Sequence, residues 1–207
     1  MLQDNSKTKK SKIILKSPTQ ERSRQTVATI LDACSKLLVS EGFYNVTTDK
    51  IAKEAGVSIG SLYQFFGNKE SVVLAVIKKI HEEDRKLVAE AYEKLKDLPI
   101  KEKVVAMINL GFSVLQHKAD LRAKLLTVQY YLADVNYMAE TIRYFEEMSL
   151  SYLPQFPGRD PRVVSKIFTN AFLGLMNSLA VENPNFTSDA NQKKEIELMF
   201  LKYLDLA

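Results

Sequence analysis

The sequence predicts an all-α protein: a small three-helix unit near the N-terminus, followed by a larger helical domain. Three observations predict it. Apolar residues recur at three- and four-residue intervals through most of the 207 positions, the spacing of one helix face. Seven Gly, six Pro and modest β-branched content argue against an all-β fold, and at 46% hydrophobic the chain can bury a core. Two short helical stretches, separated by Gly56, sit early in the chain.

Residues 1–20 read as a disordered basic tail, with Lys7, Lys9, Lys10, Lys12 and Lys16 among Ser, Thr and Asn. Such an arm either touches phosphates or the minor groove, or is simply solvated. A helix follows over Glu21–Glu41, with Val27, Ile30, Leu31, Cys34, Leu37 and Leu38 on one face and Gly42 as its stop. Thr48 is placed to cap a second helix marked by Ile51, Ala52 and Ala55. Gly56 supplies a turn that a residue with a Cβ resists. Ser58 caps a third helix running to about Phe65, which buries Leu62 and the Phe65/Phe66 end. Phe43, Val46 and Val57 complete the small core, so residues 21–68 form a helix-turn-helix domain.

The third helix leaves Ser58, Ile59, Ser61, Tyr63 and Gln64 facing outward. Eight residues at about 1.5 Å each make a rod of roughly 12 Å, short enough to lie across a major groove. Charge follows the same division. Residues 1–80 hold 13 Lys/Arg against 7 Asp/Glu, while the rest hold 16 against 18. A basic first third beside a slightly acidic remainder suits a chain that meets a polyanion at one end.

After Gly67-Asn68 a long helix is expected over 69–95, its His81-Glu82-Glu83-Asp84-Arg85 stretch solvated. It links the head to a domain over 69–207. There Val104 to Leu115, Leu121 to Leu132 and Met138 to Leu150 mark three helices, the last ended by Leu153-Pro154-Gln155-Phe156-Pro157-Gly158. Asp160-Pro161 starts another, and Asn183-Pro184-Asn185 stops it. A final helix from about Ser188 carries Ile196, Met199, Phe200, Tyr203 and Leu204.

The pattern Thr48, Ile51-Ala52, Ala55-Gly56-Val57-Ser58, Gly60, Leu62-Tyr63, Phe65 or Phe66 and Lys69-Glu70 resembles the DNA-binding head of the TetR family of transcriptional regulators. The remainder resembles that family only in length and helix count. The resemblance implies a homodimer, a double-stranded DNA operator with two-fold character, and repression relieved by a small molecule. By position, Thr47 or Thr48, Ser58, Ser61, Tyr63 and Lys69 are expected to contact phosphates, and Ile59, Gly60, Ser61 and Gln64 to lie nearest the bases. Many members have His where this chain has Gln64, which can pair with adenine N6 and N7 or reach a phosphate. Lys69 falls in the first turn of its helix, where the dipole disfavours a cation, so its place there suggests an anion to meet.

Tyr130, Tyr131, Tyr137, Tyr144, Phe145 and Tyr152 cluster with Met138 and Met148 in a short part of the chain. Tyr gives a pocket an apolar wall and a polar handle. The expected effector is apolar or aromatic, and the expected pocket residues are Ile108, Phe112, Leu125, Tyr130, Tyr131, Tyr144, Phe145, Met148, Phe172 and Met176. The last two helices are expected to pair with those of a second copy through Val164, Phe168, Ala171, Leu175, Ile196, Met199, Phe200 and Tyr203.

Other chemistry finds no motif. Cys34 is a lone cysteine and reads as a small buried hydrophobe. His81 and His117 have no partner at metal-ligand spacing, and Gly67-Asn68-Lys69-Glu70-Ser71 lacks the spacing of a phosphate-binding loop. No metal, no cofactor and no catalytic activity are expected. No secretion signal or membrane-spanning run is read, so the expected location is cytoplasmic, and the sequons at Asn45 and Asn185 are taken as chance. The alternative to a ligand-released repressor is an all-helical protein–protein adaptor whose head no longer binds DNA.

Overall fold

The computed structural model describes residues 20–133, 135–153, 156–183 and 185–206. The N-terminal tail up to residue 19, Pro154-Gln155 and Pro184 lie outside the described residues. Nine α-helices and one short 3-10 turn make up the regular structure described, with no strand among those residues. They are α1 Glu21–Glu41, α2 Thr48–Glu54, α3 Ile59–Phe65, α4 Lys69–Leu95, α5 Ile100–Gln116, α6 Ala119–Leu132, α7 Val135–Tyr152, α8 Pro161–Glu182 and α9 Ala190–Tyr203. The 3-10 turn, Phe186–Ser188, lies between α8 and α9, and periodicity did not reveal it.

The chain divides into two compact units, the first ending at Ile77 and the second starting at Lys78. The division falls inside α4 rather than at residue 68. The reason is burial: Val72, Val73, Val76 and Ile77 on the first turns of α4 are at most 1% exposed. In the first unit they join Ile30, Cys34, Leu38, Val46, Ile51, Leu62 and Phe66, each fully buried. Phe43 and Val57, also expected inside, are only half-buried. Burial pushes the Cys34 thiol up to about 12, so it stays protonated at neutral pH.

The start and stop signals act as their chemistry predicts, with one exchange. Gly42 ends α1 at φ 74° and Gly56 turns between α2 and α3 at φ 65°, both in the region that suits a residue without Cβ. Asp160 caps α8 by accepting the Arg162 N–H at 2.8 Å, and Asp189 caps α9 through the N–H groups of Asn191 and Gln192. The cap of α2 is Thr47, not Thr48: the Thr47 hydroxyl accepts the Lys50 N–H at 3.3 Å. Thr48 is the first residue inside the helix, which frees its hydroxyl for another partner.

The second unit has its main core where α5, α8 and α9 meet. Val104, Ile108 and Phe112 pack there with Val164, Phe168, Met176, Ile196 and Phe200. Phe168 meets Phe200 edge-on at 4.9 Å, and Phe172 lies 5.7 Å from the same ring. Gly111 of α5 faces the Phe172 ring so closely that a Cβ at this position would overlap the ring. Arg159 fastens the chain before α8 to the end of α9. Its guanidinium lies 4.5 Å from the Tyr203 ring and Nη1 donates to the Tyr203 carbonyl at 2.7 Å.

The close approach at Gly111 sets up opposing effects. Gly111→Ala gains about 1 kcal/mol of helix propensity but forces a ring to move, an overpacking cost of about 1–3 kcal/mol. The urea midpoint should therefore fall for Gly111→Ala alone. In a Phe172→Ala background, where the ring is gone, the same change should raise it.

Candidate nucleic-acid interface

The second and third helices of the head form the helix-turn-helix. α3 has only seven residues, too few to be stable alone, and is held by two fully or nearly buried side chains, Leu62 and Phe65. Ser58 closes its N-terminus, its hydroxyl accepting the Ser61 N–H at 3.0 Å and lying 2.8 Å from the Ser61 hydroxyl. The outward residues then follow from helical phase. Ile59 is 37% exposed, Tyr63 47% exposed, and Ser58, Gly60 and Gln64 are also exposed, with Ser61 half-buried among them. A Cβ on Gly60 would touch only the Ser58 hydroxyl, at 3.9 Å, so its backbone is open to close approach by a partner.

Beside α3 lies a groove of about 270 Å³, lined by Tyr44, Val46, Thr47, Thr48, Tyr63, Gly67, Asn68 and Lys69. The Thr48 and Tyr63 hydroxyls are 3.0 Å apart, joining the first turn of α2 to α3 across the groove. Asn68 fixes the start of α4 reciprocally: its side-chain oxygen accepts the Ser71 N–H at 2.8 Å, and the Ser71 hydroxyl donates to the Asn68 carbonyl at 2.7 Å. This sets the stem of Lys69. The ammonium donates to the Phe43 carbonyl at 3.0 Å and sits 4.5 Å from the Phe43 ring. Lys50, by contrast, is tied back to Glu41 and the Asn45 carbonyl.

The structure thus brings Thr47, Thr48, Tyr63 and Lys69 to one groove, with Ser58, Ile59, Gly60, Ser61 and Gln64 on the adjoining outer side of α3. Sequence reasoning missed Tyr44. It is 87% exposed, its ring edge-on to Phe43 at 5.5 Å. It belongs to no helix, so no periodicity pointed to it. The signal available was a second aromatic residue directly after Phe43 in the short bridge between α1 and α2.

Against this geometry, residues 30–76 match the family model described as bacterial regulatory proteins, tetR family. Over these residues the head of the chain is that of the tetR family of bacterial regulatory proteins. The matched residues are its DNA-binding domain, and the family is one of transcriptional regulators. The fatty acid metabolism regulator protein of Bacillus subtilis (strain 168) is 32% identical over 87 residues, which cover 42% of this chain and 43% of that protein. The matched stretch therefore spans less than half the length of this curated relative. Whole-chain likeness is structural. SmeT, the repressor of the Stenotrophomonas maltophilia multidrug efflux pump SmeDEF, superposes with a TM-score of 0.65 at 21% identity, covering 88% of this chain and 91% of that one. A SmeT–triclosan complex superposes at 0.62 with 20% identity, covering 86% and 90%. At these identities the likeness shows the fold.

In the second unit the expected pocket residues have different surroundings. Ile108, Phe112 and Met176 are buried in the main core, Phe172 packs at its margin, and Leu125 is buried on α6. Phe145 and Met148 pack instead on a separate cluster of Val88, Met107, Val114 and Tyr152. Tyr144 lies under the Arg85 guanidinium, 5.2 Å away. Tyr130 and Tyr131 are 66% and 81% exposed. The helical phase set by Leu121, Leu125 and Val128 turns them outward.

The expected pairing residues divide as well. Val164, Phe168, Ile196 and Phe200 are buried in this chain's own core, Leu175 packs against that core, and Tyr203 is covered by Arg159. Only Ala171 and Met199 of that set are exposed. The outward apolar residues are their neighbours Val163, Ile167, Val181 and Leu198. α8 is apolar on both sides, so periodicity did not separate the inward face from the outward one. With 22 residues and a mean hydropathy of 1.2, it is the one described helix long and apolar enough to cross a membrane by length and composition alone.

The stretch expected to be solvated on α4 is so only in part. Glu82 is exposed, but His81 is half-buried and burial lowers its pKa to about 4. Asp84 is gripped by both terminal nitrogens of Arg122, with the two side chains only 14% and 12% exposed. Arg122 arrives from α6, 38 positions further along the chain, where no α4 pattern can report it. Arg122→Ala leaves Asp84 charged and unpaired in that setting, a loss of about 3–5 kcal/mol. The Asp84→Ala/Arg122→Ala double variant should recover part of it, measured by chemical denaturation.

Proposed function

We propose that the chain is a homodimeric repressor that occupies a two-fold operator in the cytoplasm and is released by a small molecule bound in its second unit. The observation that carries the DNA reading is the pairing of an anchored, outward-facing α3 with the Thr47, Thr48, Tyr63 and Lys69 groove beside it. Hydroxyls and an ammonium on one concave edge suit phosphate oxygens. Gly60, Ile59, Ser61 and Gln64 on the adjoining side suit base edges. Tyr44, exposed at the end of the groove, is a further phosphate contact in this reading.

The two groups of residues act differently, and salt separates them. Lys69→Ala should weaken binding to every duplex and flatten the salt slope by about 0.9 for each phosphate left without its cation. Gln64→Ala should keep the slope and change the ranking of operator variants. Fluorescence anisotropy over a salt series measures both. Identical behaviour of the two variants would overturn the division of roles.

The outer stripe of α8, Val163, Ile167, Ala171, Gly174 and Val181, supports the dimer, with Leu198 and Met199 of α9 alongside. Gly174 has nothing within 4 Å of a built Cβ, so a second backbone has room to approach there. Two heads held by that face meet half-sites about 34–36 Å apart, or a multiple of it. Ile167→Glu should give a monomer by light scattering, with operator affinity reduced at least a hundredfold and circular dichroism unchanged.

Release is supported by the continuity of α4, a single helix whose first turns belong to the head and whose remainder belongs to the second unit. A ligand that favours one placement of this helix shifts the spacing of the two heads, and does so only by its differential affinity for the two states. The SmeT–triclosan complex supplies a precedent for a small molecule held by a protein of this fold.

A further inference from the structure

Within the second unit, α4 and α7 run side by side in the same direction. His81 Nδ1 lies 3.1 Å from the Tyr137 hydroxyl, Arg85 Nη2 donates to the Thr141 hydroxyl at 2.9 Å, and the Ser151 hydroxyl lies 3.3 Å from that of Tyr92. The partners sit 56, 56 and 59 positions apart. A near-constant offset over three turns means parallel helices in register. Their seam changes character along its length. One end carries Arg85, Thr141 and Tyr144. The other is apolar, with Val88, Tyr92, Met107, Phe145, Met148 and Tyr152. From Arg85 to Leu95 the helix rises about 15 Å.

Charge at the polar end is unbalanced. Three acidic residues precede Arg85, and each is committed elsewhere. Glu82 pairs with Lys86 at 3.7 Å, Glu83 with Lys118 at 2.7 Å, and Asp84 with Arg122. Arg85 has no carboxylate partner among the described residues. One terminal nitrogen meets Thr141, the Tyr144 ring lies 5.2 Å from its carbon, and Nε is buried with no partner. A buried donor left unmade is disfavoured, and a guanidinium edge fits two oxygens of one anion at once.

We propose that Arg85 binds the headgroup of an anionic amphiphile, a carboxylate or phosphate on an apolar tail, with the tail lying along the apolar end of the α4–α7 seam. The anion accepts from Nε–H and a terminal N–H; the neighbouring Thr141 and Tyr144 hydroxyls donate to the Tyr137 and Arg85 carbonyls and hold the walls of the site in place. His81, with its lowered pKa, adds no positive charge at neutral pH. The proposal rests on the effector reading above and gives that effector a chemical class.

The test uses the full chain and three probes of one tail length: decanoate, decyl phosphate and decanol. Isothermal titration should show decanoate or decyl phosphate binding at least tenfold tighter than decanol, and which anion wins identifies the headgroup. Arg85→Gln should bring the preferred anion down to the decanol affinity. Arg85→Lys, which keeps charge without the fork, should fall between. Equal affinity of all three probes for the unaltered protein, or no binding of any, overturns the proposal without recourse to a variant. Operator anisotropy separates this failure from that of the broader reading. Release by neutral aromatic compounds alone leaves ligand gating standing and removes the anion site, whereas anion binding without any DNA affinity does the reverse.

Discussion

The structure depends on the burial of one side of α3. A helix of seven residues does not persist in water on its own propensity, because nucleation costs more than so few hydrogen bonds return. Leu62 and Phe65, with Phe66 directly after, are the anchors, buried in the same unit as Ile51 of α2, Leu38 of α1 and the first turns of α4. The outward residues of α3, those proposed to meet DNA, are thus positioned by the burial of the opposite side of the same helix. A cavity introduced at Leu38 or Ile51 loosens the reading head without touching a single polar group on its surface.

The same economy governs the groove. Polar groups in and beside it already have partners in the free chain: Thr48 with Tyr63, Ser58 with Ser61, Lys69 with the Phe43 carbonyl. In the proposed complex a phosphate would exchange these bonds rather than create them from nothing, so the net gain per contact would be small. The benefit is order. Side chains already held in place give up little rotamer freedom on binding, and affinity then comes mainly from counterion release.

Sequence carried the head almost completely. α1 and α4 have the boundaries that periodicity, Gly42 and Gly67-Asn68 implied, and α3 exposes the residues its phase implied. What it did not carry were facts held by distant residues. Asp84 reads as solvated until Arg122 is brought from α6, and His81 until Tyr137 is brought from α7. Tyr130 and Tyr131 read as pocket lining because composition ignores phase. Thr47 and Thr48 are chemically alike, and only the hydrogen bond to the Lys50 N–H distinguishes cap from first residue. In each case the missing information is tertiary, not local.

α8 shows why a one-dimensional reading meets its limit in this kind of fold. A helix with one apolar face declares its orientation by periodicity, whereas α8 carries apolar residues in both its buried and its exposed rows, so apolar character alone does not say which row faces the core. Val164, Phe168 and Met176 look inward, and Val163, Ile167 and Val181 look outward, separated by a single residue step of about 100°. In a monomer in water the outward row is a liability, since exposed apolar stripes drive non-specific association. The homodimer proposed above would remove this liability by laying a second layer of helix against the row, and the small residues Ala171 and Gly174 leave room for that layer to come close. The apolar character that makes α8 long and apolar enough to cross a membrane is equally what the proposed dimer requires of a helix placed between its own core and a second copy.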